Sequence, residues 1–535
     1  MKRHQVKKET VVLGMLIIAL GLAGLCQSTL GAPETSIKNR PNILLMFADD
    51  HAVQAISAFG SRINKTPNID RIAEQGARFT RNYCANSICS PSRACVLTGK
   101  HSHMNGVTEW QKFDGSQFTF PKTLQAAGYT TGIFGKWHLK SDPTGFNEWM
   151  VYYGQGHYYN PDYKTPEGKK SINGYSVDVT TDLALDFIKR NHDSGKPFMA
   201  MCQFKAPHRT WMPATRFLNK YDDVTIPEPD TLFDDYSGRA APAAKHRMGI
   251  DKHMRMSYDL KVPNAKGGGI YDHNRMTPEQ RAAWDAVYDP KNNAFKDANL
   301  TCRELVKWKY QRYVKDYLRC IAAVDENVGR LLDYLKSEGL DKNTIVIYSS
   351  DQGFYLGEHG WFDKRWMYEE SFRMPLLMCW PGMIKPGTTV SKLTQNIDFA
   401  PTFIQAAGLP IPDEIQGASL LPLFKDADAP WRDALYYHYY NHGGNQLEPR
   451  GEHGVPRHHG VRTDRYKLIQ YYTTDEWELF DLEKDPQEMH SEYNNPEYAT
   501  IKKGLKLKLD ALIKQYKAPV VEIGKAPDLS KLKAK

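Results

Sequence analysis

Four stretches of this chain are apolar on both faces and each runs into polar or charged residues. Ile43-Leu44-Leu45-Met46-Phe47-Ala48 leads into Asp49-Asp50, and Gly132-Ile133-Phe134 leads into Gly135-Lys136-Trp137-His138. Phe198-Met199-Ala200-Met201-Cys202 leads into Gln203-Phe204-Lys205-Ala206-Pro207-His208, and Ile345-Val346-Ile347-Tyr348 leads into Ser349-Ser350-Asp351-Gln352. A strand with one face in water would alternate apolar and polar residues. These runs do not, so they read as strands of a largely parallel sheet with helices packed on both sides. Ligands in such sheets bind beyond the carboxyl ends of the strands, where the polar residues fall. The expected class is therefore α/β, and the residues to watch are those that terminate each run.

Between the strands, helical signals recur. Thr66-Pro67 opens a helix that closes at Gly76, with proline suited to a first turn. From Arg303 to Leu340, apolar residues such as Leu305, Trp308, Tyr313, Leu318, Ala322, Val328, Leu331, Leu332 and Leu335 recur in steps of three and four, which predicts one long amphipathic helix or two in series. Residues 211–300 are rich in Pro, Asp, Lys and Met, with a Lys266-Gly267-Gly268-Gly269 break, and read as long loops and short helices. These either overlie the cleft or form an insertion remote from it. Pro375 to Gly382 is a further strand. Pro422, Asp426, Asp428 and Pro430 suggest a linker, followed by strands near 435–440, 460–471 and 477–482 and a helix from about Pro496 to Tyr516. The expected division is a signal peptide at 1–32, a catalytic domain at 33–425, a C-terminal subdomain with an antiparallel sheet at 426–520, and a basic tail at 521–535.

The amino terminus reads as an address. Lys2, Arg3, Lys7 and Lys8 precede an apolar run from Val11 to Cys26, short of the roughly 20 residues of a membrane span. Small residues at Gly31-Ala32 then offer a cleavage site. Export as a periplasmic or secreted protein is expected; a lipid anchor at Cys26 is disfavoured by the bulky Leu25 before it. Of the eight cysteines, the other seven stand at 84, 89, 95, 202, 302, 320 and 379. That odd number leaves at least one thiol unpaired in an exported chain. The net charge of +8 suits polyanions. No zinc-finger spacing, homeodomain-like helix or RNP aromatic set points to nucleic acid.

One segment stands apart chemically. Cys89-Ser90-Pro91-Ser92-Arg93-Ala94-Cys95-Val96-Leu97-Thr98-Gly99-Lys100 reads as a loop feeding a helix, with Pro91 in the first turn and Ser90 or Ser92 available to cap it. Cys89 then lies at the positive end of a helix beside Arg93, a setting that attracts oxyanions and lowers a thiol pKa. The run resembles the C-x-P-S-R and T-G signature of the type I sulfatases, in which this cysteine is oxidised to formylglycine. Gly135-Lys136-Trp137-His138-Leu139 is similar to the second signature of that family, and Lys205-Ala206-Pro207-His208 to the point where it places its second histidine. Lys364 corresponds to its second sulfate-binding lysine.

The resemblance covers roughly 40–515. It implies an alkaline-phosphatase-like α/β/α sandwich with a large mixed sheet, and a smaller C-terminal α+β subdomain. Three carboxylates and an amide oxygen (Asp49, Asp50, Asp351 and Gln352) form a hard-oxygen set suited to Ca²⁺ or Mg²⁺. The modified Cys89 would complete the metal site. The family chemistry further implies that Arg93 holds the nucleophile, Lys136 and Lys364 neutralise the sulfuryl oxygens, His208 protonates the leaving oxygen and His138 removes a proton afterwards. Glu358, His359, Asp363 and Arg365 are candidates for holding the sugar, with His458 and His459 as further ones. The implied partners are a sulfated saccharide and a formylglycine-generating or radical maturase. The substrate reading favours the 6-O-sulfate of N-acetylglucosamine in glycosaminoglycans or mucins. Algal sulfated polysaccharide, a phosphodiesterase or phosphonate hydrolase of the same superfamily, and a silent glycan-binding protein are the alternatives.

Overall fold

The four apolar runs are neighbouring strands of one sheet in a computed structural model, which describes residues 40–263, 269–441, 452–525 and 527. The expected signal peptide, Cys26, the glycines at 267 and 268 and most of the basic tail lie outside the described residues. In chain order the sheet contains β1 (Asn42–Ala48), β2 (Ala77–Phe79), β3 (Thr130–Gly135), β4 (Glu148–Tyr152) and β5 (Asp162–Thr165). It continues with β6 (Gly168–Ser171), β7 (Phe198–Gln203), β8 (Thr344–Ser350), β9 (Leu376–Cys379) and β10 (Thr388–Val390). Their spatial order is β10-β2-β9-β8-β1-β7-β3-β4-β5-β6. The middle five, β8 to β4, are parallel, and antiparallel pairs occur only toward the two edges.

Alternation along β1 explains the two-faced apolar runs. Ile43, Leu45 and Phe47 enter one core, while Leu44, Met46 and Ala48 enter the other. The first core is covered by α2 (Cys89–Thr98). The second is covered by α1 (Pro67–Glu74), α3 (Ser176–His192) and α5 (Cys302–Ser337), and α4 (Pro278–Ala298) packs at its margin through Trp284 and Tyr288. Helices thus lie on both faces, as a parallel sheet of this length requires.

The amphipathic stripe after Arg303 resolves as one helix of 36 residues. Its buried face runs through Tyr310, Tyr313, Tyr317, Ile321, Val324, Val328, Leu331 and Leu335. Leu305 and Trp308, at its first turns, are only half-buried. Two expectations are corrected. The 211–300 region contains a 21-residue helix, α4, with a Thr277/Gln280 capping box and Pro278 in its first turn. Pro290 lies inside this helix, on its exposed side. And the stretch expected as a strand at 460–471 is a hairpin, turned at Asp464-Arg465.

That hairpin belongs to a second sheet of four antiparallel strands: β11 (Ala434–Tyr439), β12 (His458–Thr463), β13 (Tyr466–Tyr471) and β14 (Glu476–Asp481). Period-two alternation splits its faces. Ala434, Tyr436, Val461, Leu468 and Leu479 pack on α6 (Ala499–Gln515), whereas Leu435, Tyr437, Tyr439, Ile469 and Phe480 join the core of the large sheet. All seven described cysteines are free thiols, and only Cys302 is exposed.

Candidate active site

The parallel strands deliver their terminal residues to one place. β1 ends in Asp49-Asp50, β8 in Asp351-Gln352, β3 in Lys136 and His138, and β7 in Gln203, Lys205 and His208. Against these ends α2 begins, with all ten of its residues buried. Cys89 is 1% exposed. Its Sγ lies 3.3 Å from Asp49 Oδ1, 4.0 Å from Asp50 Oδ1 and 3.4 Å from Lys364 Nζ.

Three carboxylates (Asp49, Asp50, Asp351) thus meet three cations (Arg93, Lys136, Lys364). Arg93, one turn into α2, joins three strand ends: Nε lies 3.1 Å from Asp351 Oδ2, and its Nη1 donates to Gln203 Oε1 at 2.7 Å and to Lys136 O at 3.1 Å. Lys136 Nζ donates to Asp49 and to Gln155. Lys364 Nζ pairs with Asp50. His208 brings Nε2 to 3.7 Å from Asp50 Oδ2, while its Nδ1–H donates to Arg209 O at 2.6 Å, so Nε2 is the nitrogen turned toward the carboxylates. His138 Nδ1 is 3.3 Å from Ser90 Oγ, and the half-buried Trp110 ring lies 5.7 Å from the imidazole.

The serines act differently from the cap expected of them. Ser90 Oγ donates to His138 O and Ser92 Oγ to Asp351 O, so both bind strand ends to the helix, and no side chain caps α2. Asn396, which the sequence did not single out, holds Ser92 Oγ at 2.8 Å.

Electrostatics divides the carboxylates. Burial pushes Asp50 up to about 7, with Asp49 and Asp351 adding to the rise and Lys364 offsetting part of it. Burial alone would also raise Asp49, but Lys136, His208, Arg93 and Lys364 hold it well below the usual range. The Cys89 thiol corrects the expectation of a lowered pKa. Burial, and then Asp49, push it well above its ordinary value, because carboxylates in contact outweigh the end of a ten-residue helix. His138 and His208 are both pushed down by burial, with Lys136 adding to the effect.

The donor set fits a hard divalent cation. Asp50 Oδ2 and Gln352 Oε1 are buried acceptors without any hydrogen-bond partner, while Gln352 Nε2 donates to Asp50 Oδ1. Orphaned buried oxygens cost about 1–3 kcal/mol each unless a cation or donor meets them. Ligating atoms of Asp49, Asp50, Cys89 and His208 also lie within 4.8 Å of one another.

Beside Lys364, Asp363 and Arg365 are buried with left-handed backbones (φ 81° and 102°), as is Asp50 (67°), and the half-buried His138 shares that conformation (56°). Such conformations cost of order 1–3 kcal/mol and gather where function over-determines the chain. Asp363 Oδ2 lies 3.5 Å from His453 Nε2, a residue the sequence reading missed because it follows a segment without motif. Other candidates are turned elsewhere. Glu358 binds Gln54 Nε2 (3.1 Å) and Leu356 N–H (2.6 Å), and His359 is enclosed by Asp234, Arg239 and Glu370. His459 bonds Gln470 Oε1 at 2.7 Å, and its polar and ring contacts among the described residues fall within 436–472. Alternation along β12 sends the neighbouring His458 toward Trp366 and the main core instead.

A cysteine at a helix start, set among carboxylates with Lys136 from a parallel strand end and Lys364 from a neighbouring loop, defines a sulfuric ester hydrolase, and the chain belongs to the sulfatase family. The sulfatase profile matches residues 41–409, and that of the C-terminal part of N-sulphoglucosamine sulphohydrolase matches 357–515. The chain is 46% identical over 516 residues to an N-acetylglucosamine-6-O-sulfatase of Bacteroides thetaiotaomicron, covering 94% of this chain and 91% of that protein. It is 28% identical to the human N-acetylglucosamine-6-sulfatase over 442 residues, or 77% and 69% of the two chains. A solved structure in complex with its substrate D-glucosamine-2-N,6-O-disulfate superposes with a TM-score of 0.86 at 46% identity, covering 89% and 98%. No helix among the described residues is long and apolar enough to cross a membrane.

Proposed function

We propose that this sulfatase removes the 6-O-sulfate of N-acetylglucosamine residues in glycosaminoglycan or mucin glycans, after export and after conversion of Cys89 to formylglycine by a maturase. The observation that carries the reading is the pair of lysines at Cys89, Lys364 in contact with it and Lys136 reaching it through Asp49, with Asp363, Arg365 and His453 clustered next to Lys364. The similarity to two named N-acetylglucosamine-6-sulfatases and to a structure holding a 6-O-sulfated glucosamine supports the same substrate.

Hydrated formylglycine would supply two hydroxyls, one to attack the ester sulfur and one whose deprotonation restores the aldehyde and frees sulfate. Ca²⁺ or Mg²⁺ held by Asp49, Asp50, Asp351 and Gln352 would lower the pKa of the attacking hydroxyl. The protein's own groups do the rest. Lys136 and Lys364 offset charge on the sulfuryl oxygens as the S–O bond to the sugar breaks. Arg93 keeps Asp351, Gln203 and the Lys136 carbonyl in fixed relation around the nucleophile. His208, charged once the anionic substrate offsets the burial that lowers its pKa, delivers the proton of Nε2 to the sugar oxygen, its Nδ1–H being committed to the main chain. His138 accepts a proton in the second half of the cycle. Asp363 and Arg365 supply an acceptor and a donor fork for sugar hydroxyls.

The test is a panel of defined saccharides sulfated singly at each position, N-acetylglucosamine-6-sulfate among them, incubated with formylglycine-bearing enzyme. Release of sulfate from the 6-O position is the expected result. Exclusive release from algal saccharides or from other positions would overturn it.

A further inference from the structure

Lys136 is fully buried, and its ammonium meets two acceptors, Asp49 and Gln155 Oε1, the latter at 2.5 Å. An ammonium has three N–H donors. With two directions taken, protein geometry sets the third. Gln155 is itself held. It lies in the turn after β4 between Gly154 and Gly156, both left-handed (φ 54° and 71°). A Cβ on Gly156 would come within 2.7 Å of the Tyr152 ring, so the turn admits only glycine there. The Gln155 carbonyl accepts from Lys205 Nζ at 3.2 Å.

Lys205 is the odd member. It is 1% exposed, rests 4.9 Å over the Tyr158 ring, and has no carboxylate at ion-pair distance among the described residues. A buried cation without a counter-ion is costly, and an apolar side chain of similar length would serve packing better. Stability therefore does not explain its presence, whereas an anion arriving at the neighbouring Lys136 does.

We propose that Gln155 and Lys205 are positioning residues of the sulfate site: Lys205 fixes the Gln155 turn, and the Gln155 side chain aims the third N–H of Lys136 at a sulfuryl oxygen. This rests on the reading of Lys136 as a sulfate-binding lysine. In the absence of Gln155 the ammonium pivots about Asp49, and a misplacement of this kind costs up to about 10²-fold in rate.

The test compares Gln155→Met and Lys205→Met in the metal-loaded, formylglycine-bearing enzyme, with inorganic sulfate as the probe. Each variant is expected to weaken sulfate binding, measured by calorimetry and as competitive inhibition, and to raise KM, each by about tenfold or more. Lys205→Met should do so with an unchanged or raised Tm, which loss of a structural prop would not produce. In a Lys136→Met background neither change should weaken sulfate binding further, because both act through Lys136. Wild-type sulfate affinity in both single variants, or a full additional loss in the Lys136→Met background, overturns the proposal. Should Gln155→Met fail to fold, Gln155→Asn, which shortens the arm, is held to the same criteria. Sulfate binding is read without any sugar. A wrong assignment of the saccharide would therefore appear only in the turnover panel and leave this result legible.

Discussion

The hydroxyl of Tyr317 donates to the main-chain carbonyl of Asp50 at 2.6 Å and accepts from the Ala52 N–H at 2.7 Å. Asp50 has a left-handed backbone at φ 67°, so the long helix α5 pins the least comfortable residue of the metal-site loop from behind. Tyr317→Phe removes both bonds and strands two buried backbone groups, at about 1–3 kcal/mol for each orphaned group. The fold should survive with a lowered Tm, and Ca²⁺ affinity measured by calorimetry should drop about tenfold or more. Unchanged affinity would show that the loop holds itself.

His208 offers a sharper kinetic test. With Nδ1 bonded to Arg209 O, Nε2 alone faces the site, where a proton is needed only by a poor leaving group. His208→Ala should slow desulfation of sugar sulfates by about 10²–10⁴-fold while sparing activated aryl sulfates. Equal losses on both substrates would remove His208 from the acid role.

Deprivation of metal gives a third prediction. Asp50 Oδ2 and Gln352 Oε1 are buried without partners, so a chelator should abolish turnover and lower Tm, and Ca²⁺ or Mg²⁺ should restore both. Gln352→Leu removes the proposed amide ligand and should demand about tenfold or more free metal for half-maximal activity. A variant with wild-type metal dependence would exclude Gln352 from the set.

The fourth concerns pH. Burial would lower the His359 pKa and Arg239 opposes its charge, yet Asp234 and Glu370 raise it to about 9. A histidine raised in the folded state stabilises fully below its unfolded value of about 6.5, and the benefit fades as pH climbs toward the folded value. The wild-type protein should therefore lose up to about 3 kcal/mol between pH 6.5 and 9, a loss His359→Gln should not share. Parallel Tm profiles for the two proteins across that range would refute the assignment.

These cases also show what could be read from sequence. The strand ends were legible because a parallel strand buried on both faces is apolar throughout, which left Asp49, Lys136, His208 and Asp351 conspicuous where each run stopped. Tyr317 carried no such mark. It lies in an apolar stripe where any large side chain would fit, and its hydroxyl matters only because folding brings it to Asp50. Gln155 carried no mark either, since its contacts with Lys136 and Lys205 exist only once the chain is folded. His359 and Glu358 had the composition of sugar ligands, but neighbours distant in sequence, Asp234 and Gln54, took their polar atoms. The length of α4 was obscured by a composition rich in Pro, Asp, Lys and Met, with few apolar residues such as Trp284 and Tyr288 to mark a buried face.

The small sheet has one more consequence. Tyr437 on β11 bonds Ser87 Oγ at 2.5 Å and Arg365 O at 2.9 Å, and His438 N–H bonds Ala85 O at 3.2 Å, so this strand clamps the residues leading into Cys89. During synthesis the ribosome releases Cys89 long before it makes β11. Any enzyme that oxidises this thiol must work within that interval, on a nascent or unfolded chain, since docking of the last strands closes the door.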